Sequence, residues 1–276
     1  MIEWNHWHNE PLLIGGILAI AWSYSLAIGP FRKPQYLFPK REAIYFASSV
    51  ITFYLAVGSP LDALGENFLF SAHMLQHNIL MYITPLLMLL GLPKWLVDDA
   101  FAKHMWLKQG IKFLAHPIVA GLSFTLVFSL WHIPFLYEWA LHNKVVHMIE
   151  HLTMFVTSLQ IWWCIVGPSR LVPPLHYGAQ IIYVFLLMVG QTPLFAFLSF
   201  STDVFYPTYA YAPRVINLSP IQDQVLGGVA MKLANLIVSI SIIGVAFYKW
   251  GEESKQPDAA RNPEIEDRVS DIGVGR

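Results

Sequence analysis

A chain of 276 residues that is 55% hydrophobic, 14% aromatic and only 13% charged lacks the polar surface a soluble fold of this size needs, and it reads as an integral membrane protein. Its formal net charge of −1 gives no footing for a nucleic-acid partner, and lipid is its expected surroundings. The single cysteine, Cys164, excludes an intramolecular disulfide and any multi-cysteine metal site.

Residues 1–10 carry no Lys or Arg, so they lack the charged start of a cleavable signal peptide, and the first apolar run is expected to be a permanent span. Seven segments long enough to cross a bilayer are predicted near 11–30, 43–60, 70–92, 114–137, 144–167, 177–200 and 223–248. The runs are continuous rather than alternating, which marks helices and not barrel strands. The expected fold is therefore all-α, a seven-transmembrane-helix bundle over residues 1–250. Residues 251–276 are charged and poor in apolar groups, as a disordered tail would be.

Orientation is predicted from where the basic residues fall. Arg32, Lys33, Lys40 and Arg41 lie between spans 1 and 2; Lys94, Lys103, Lys108 and Lys112 lie between spans 3 and 4. Arg170 follows span 5, and Lys249, Lys255, Arg261, Arg268 and Arg276 follow span 7. The opposite side holds only Lys144 and Arg214, with Lys232 inside the last span. The N-terminus is thus expected outside and the C-terminus in the cytoplasm.

In that frame two related phrases, His73-Met74-Leu75-Gln76-His77 and His147-Met148-Ile149-Glu150-His151, open spans 3 and 5 at their outer ends. Residues four apart share a helix face, so each phrase presents two imidazoles together. Ionisable groups inside spans are costly and are kept for function, and two pairs at ligand spacing predict a metal centre of His73, His77, His147 and His151. His132, at the outer end of span 4, is a fifth candidate. His6, His8, His142 and His176 read as interfacial or capping residues.

Met81 and Met154 lie about one turn below His77 and His151, and Met231 lies about two turns into span 7. They read either as core packing or as a thioether path, and thioether with imidazole suits copper(I). Asp223 and Gln224 begin span 7 at the same level and are expected behind the ligands, as is Glu150. Pro85 and Pro193 lie mid-span, each freeing the carbonyl four residues earlier, at Met81 and Val189. The aromatic connection 201–222 reads as a lid, a docking segment or an interfacial anchor.

Taken together, His73–His77 with the run Pro85–Pro93, the second pair with Trp162-Trp163 behind it, Tyr206–Ala210, and Pro220–Gln224 leading to Gly228 resemble the seven-span CtaG-type cytochrome c oxidase assembly factors. The resemblance covers spans 3 to 7, with spans 1 and 2 matching in length and placement. It implies a multi-pass protein of the bacterial plasma membrane, a haem–copper oxidase subunit as client, and a part in copper supply rather than turnover. A single-span, cysteine-bearing copper chaperone shares the name, and the lone Cys164, well inside span 5, argues against that family.

Three readings follow. The first is an assembly factor holding copper at the outer face and passing it to the oxidase. The second is an electron carrier with haem between facing histidines of spans 3 and 5, which leaves the doubling of each histidine unexplained. The third is an intramembrane zinc hydrolase, because residues 147–151 fit H-x-x-E-H with Glu150 as base. A copper site, unlike a hydrolase, is expected to tolerate an amide at 150.

Overall fold

The computed structural model describes Trp7 and residues 9–261, with side chains through Lys255. Its elements in chain order are α1 (Pro11–Ile28), α2 (Lys40–Gly58), α3 (Pro60–Asn67) and α4 (Phe70–Asn78), then a π turn (Ile79–Ile83) leading into α5 (Thr84–Leu90). There follow α6 (Lys94–Lys103), α7 (Met105–Leu114), α8 (Pro117–Trp131), α9 (Pro134–His142), α10 (Lys144–Val166), α11 (Tyr177–Phe200), α12 (Pro207–Tyr211) and α13 (Pro220–Arg261). The fold is all-α, with no strand among the described residues. Five helices are long and apolar enough to cross a membrane alone, and two bent pairs raise the number to as many as seven. The expected positions of His6 and His8 lie outside the described residues.

Proline and serine decide where the predicted spans break. Span 2 stops at Gly58, and Ser59 restarts the chain as α3 by accepting the Leu61 N–H, with Pro60 at the first helical position. The predicted span 114–137 is interrupted at His132 and Ile133, because Pro134 disfavours helical backbone in the residue before it; Ile133 is extended (φ −66°, ψ 127°). The stretch expected as a loop after span 3 folds into α6 and α7, bent by 82° and 64° from the helices they adjoin.

Pro85 acts as predicted on the helix through His77. The ladder shifts into the π turn just before it, and the carbonyl of Met81 accepts a hydrogen bond from Trp162 Nε1 at 2.8 Å. That bond ties the π turn to α10. At the other end, α13 runs 42 residues to Arg261, about 63 Å at 1.5 Å per residue, twice a bilayer's apolar core. Residues 251–261 are therefore helical where a disordered tail was expected, and the remainder of that tail lies outside the described residues.

One hydrophobic core runs through the bundle, with Phe70, Met74, Phe124, Phe128, Tyr137 and Leu198 among its buried members. α13 packs on α11 and α4, while α10 packs on α8, α5 and α9. α1 stands apart on the edge, held by Tyr24, which stacks on Phe46 at 3.7 Å between ring centroids and donates to the carbonyl of Gly91.

Candidate metal centre

Both histidine phrases occupy the first two turns of capped helices. α10 is capped by its own neighbour: the Asn143 side chain accepts the Val145 and Val146 N–H groups. α4 has no such residue of its own, since its cap position is Leu69. Asp223 of α13 supplies the cap instead, accepting from the backbone N–H of Phe70 at 2.7 Å and of Ser71 at 3.2 Å. This carboxylate satisfies two of the orphan amides at the start of α4 and fixes the depth of His73 and His77. Close approach is needed for this. A β-carbon on Gly227 would stand 2.5 Å from the Phe70 ring, and one on Gly65 would stand 3.0 Å from the backbone of His73.

The five imidazoles predicted from sequence meet in one buried cluster. Ring centroids lie 5.4 Å apart for His73 and His147, 5.7 Å for His73 and His151, and 5.4 Å for His77 and His151. His132 joins from the break after α8, with its ring 5.9 Å from that of His77. The Nε2 atoms of His73 and His77 are 2.9 Å apart. Glu150, expected behind the imidazoles, faces them: its Oε1 is 3.5 Å from His77 Nε2 and 3.8 Å from His73 Nε2. The cause is helical geometry, because a residue three past His147 and one before His151 still lies on the same side of α10. One ligand atom each from His73, His147, Glu150 and His151 lie within 4.8 Å of one another, so this group could hold a metal ion.

Second partners orient two of the rings. His132 Nδ1 is 2.7 Å from the carbonyl of Phe128, so it carries the proton and leaves Nε2 with a lone pair toward the cluster. His147 Nδ1 is held by Glu66 Oε1 at 2.7 Å, the carboxylate–histidine arrangement that raises the basicity of the other nitrogen. Other atoms of the cluster are left without a hydrogen bond. His73 Nδ1, His77 Nδ1, the Nε2 atoms of His132, His147 and His151, and both oxygens of Glu150 are buried with no hydrogen bond. Each such atom costs about 1–3 kcal/mol, and more for a charged group, unless something else satisfies it. A cation bound among imidazole lone pairs and one carboxylate meets the chemistry of this donor set.

An aromatic roof covers the cluster, built largely by the connection 201–222. Tyr206 and Tyr209, each 1% exposed, fold inward. Tyr206 donates to the carbonyl of His132, and Tyr209 donates to that of Gly65 at 2.6 Å. The Tyr137 hydroxyl is 2.9 Å from that of Tyr209, and its ring lies 5.1 Å from His73. Burial pushes the Tyr206 and Tyr209 phenols well above their usual range, so both stay protonated. Gln224 anchors the same connection, accepting from Phe205 N–H and donating to the carbonyl of Asp203.

The remaining candidates divide plainly. Asp223 and Gln224 hold the helix and the roof rather than the ligand atoms. Met81, Met154 and Met231 are buried in the core. His142 is exposed with Nδ1 on the carbonyl of Glu138, and His176 caps α11 and pairs with Glu253. Sequence reasoning missed Asp62 and Glu66, although they are spaced four apart at the same outer level as His73, the very rule that found the histidines. It also missed Tyr137.

A model of the cytochrome c oxidase caa3 assembly factor family (Caa3_CtaG) matches residues 22–253, and the chain belongs to that family. An uncharacterized protein of Mycobacterium bovis and one of Mycobacterium tuberculosis are each 25% identical over 270 residues, which cover 91% of this chain. The chain spans about two fifths of the length of these curated relatives, 40% in each case. No solved structure matches it.

Proposed function

We propose that this cytochrome c oxidase assembly factor binds copper among His73, His77, His132, His147, His151 and Glu150, and delivers it to a haem–copper oxidase subunit during assembly. The observation that carries the reading is the set of buried imidazole nitrogens without hydrogen bonds around a carboxylate that has none either. Imidazole suits copper and zinc alike, and the family's role in building an oxidase favours copper. Ring centroids 4.1–5.9 Å apart do not form the planar slot a haem requires, which weighs against the electron carrier. The test is elemental analysis of the full chain purified in detergent, with an absorption spectrum. About one copper per chain and no haem band are expected. Zinc in copper's place would favour the hydrolase, and a haem band the carrier.

The reading also needs the centre to face the side where the client is metallated. The distribution of basic residues among the connections supports a start of α4 and α10 at the outer leaflet of a bacterial plasma membrane, with the end of the chain in the cytoplasm. A reporter active only outside the cytoplasm should therefore work when inserted in the 201–222 connection and fail after Lys255. Activity after Lys255 would invert the orientation and remove outward delivery.

A further inference from the structure

Beside the buried centre, and closer to solvent, lies a second group of donors. One ligand atom each from Asp62, Glu66 and His147 lie within 4.8 Å of one another. The side chain of Glu66 is 20% exposed, whereas Asp62 and His147 are buried. The amide of Gln76, fully buried, abuts Asp62 through Nε2 and also donates to the carbonyl of Ala56. Its Oε1 has no partner at all. Two carboxylates and an imidazole whose ligand atoms converge, beside an amide bonded to one of them, form a donor group able to hold a cation.

We propose that Asp62, Glu66 and His147 form a second, outer cation site that loads the buried centre, with the Gln76 amide holding Asp62 in place. The inference rests on the buried centre being a metal site. Its ligand set is richer in oxygen than the inner one, which suits a divalent ion such as copper(II) or zinc. The two sites share His147, whose Nδ1 faces Glu66 and whose Nε2 is partnerless on the cluster side. A neutral imidazole has one lone pair, so His147 serves one ion at a time. Moving the proton from one ring nitrogen to the other releases an ion on the Glu66 side and offers a ligand on the inner side. No change in the ion's oxidation state is involved. The gradient of exposure, from Glu66 inward to residues with no exposure such as His73 and His77, sets the direction.

The test uses the full chain in detergent, metal-free, titrated with copper(II) and read by electron paramagnetic resonance. The unsubstituted protein should bind two kinds of copper, a tighter one with nitrogen-rich hyperfine structure and a weaker one with a more oxygen-rich signal. Glu66→Gln keeps an acceptor for His147 and should weaken the second kind while slowing loading of the first, each by about 10-fold or more. Asp62→Asn should do the same, so the result does not hang on one variant's folding. Unchanged stoichiometry and loading rate in both variants would overturn the outer site and leave the buried centre standing. His77→Ala should remove the nitrogen-rich signal and leave the oxygen-rich one. If the oxygen-rich signal persists and responds to Glu66 while no nitrogen-rich copper is ever seen, the buried centre fails and the outer site stands.

Discussion

Replacing His77 by alanine is expected to strip the buried centre of its metal while leaving the metal-free bundle about as stable as before. His77 has no exposure, and its Nε2 lies close to both His73 Nε2 and Glu150 Oε1. Removing an orienting partner behind a ligand costs roughly 10–100-fold in affinity, so removing a ligand at the point of convergence should cost at least about 100-fold. The metal-free state responds differently. Truncating a buried ring leaves a cavity worth about 2–5 kcal/mol, but it also deletes two nitrogens that are poorly satisfied without metal, each worth about 1–3 kcal/mol. These terms oppose each other and are of similar size. In the unsubstituted protein, metal held at 1,000 times its dissociation constant adds about 4 kcal/mol. The difference between melting temperatures with and without copper should therefore collapse in His77→Ala, with oxidase activity of the membranes falling alongside. His176→Ala, at the opposite end of α11, should change neither. Undiminished copper in His77→Ala would sink the centre as drawn.

How much of this was legible beforehand depended on whether the signal was local. The i,i+4 rule reads directly from helical periodicity, and it named all four paired histidines; His132 followed from its depth alone. Pro85 freeing the Met81 carbonyl was legible for the same local reason. Its acceptance by Trp162, 81 residues away, was not, because nothing in a single span records which neighbour it will face. Asp223 shows the same limit: its position at the start of span 7 put it behind the ligands, whereas it caps α4, 153 residues away. The short helices α3 and α9 were invisible to a search for long apolar runs, and with α3 went Asp62 and Glu66. Glu150 was found but misplaced, since spacing gives a face and not what meets it.

Exchanging Glu150 for glutamine should lower copper affinity about 10–100-fold, a larger loss than the sequence alone suggested. The carboxylate has no exposure, both its oxygens lack partners, and two ligand nitrogens stand within 3.8 Å of Oε1. A carboxylate without hydrogen bonds at this depth costs several kcal/mol, which a bound cation repays through charge and which an amide never incurs. Glu150→Gln should thus raise the stability of the metal-free protein while weakening its hold on copper. Gln76, at the corresponding place in the first phrase, offers no precedent for an amide in the centre, because it turns away to Asp62 and the carbonyl of Ala56. The same variant divides carrier from hydrolase. A carrier loses function in proportion to the copper it fails to hold, so excess copper in the medium should restore oxidase assembly. A hydrolase needs the carboxylate to take a proton from metal-bound water, which an amide cannot do, so activity would vanish with metal still bound and no added metal would bring it back. Copper content and oxidase activity measured together across a range of supplied copper therefore decide the matter: rescue supports carriage, and metal retained without rescue refutes it.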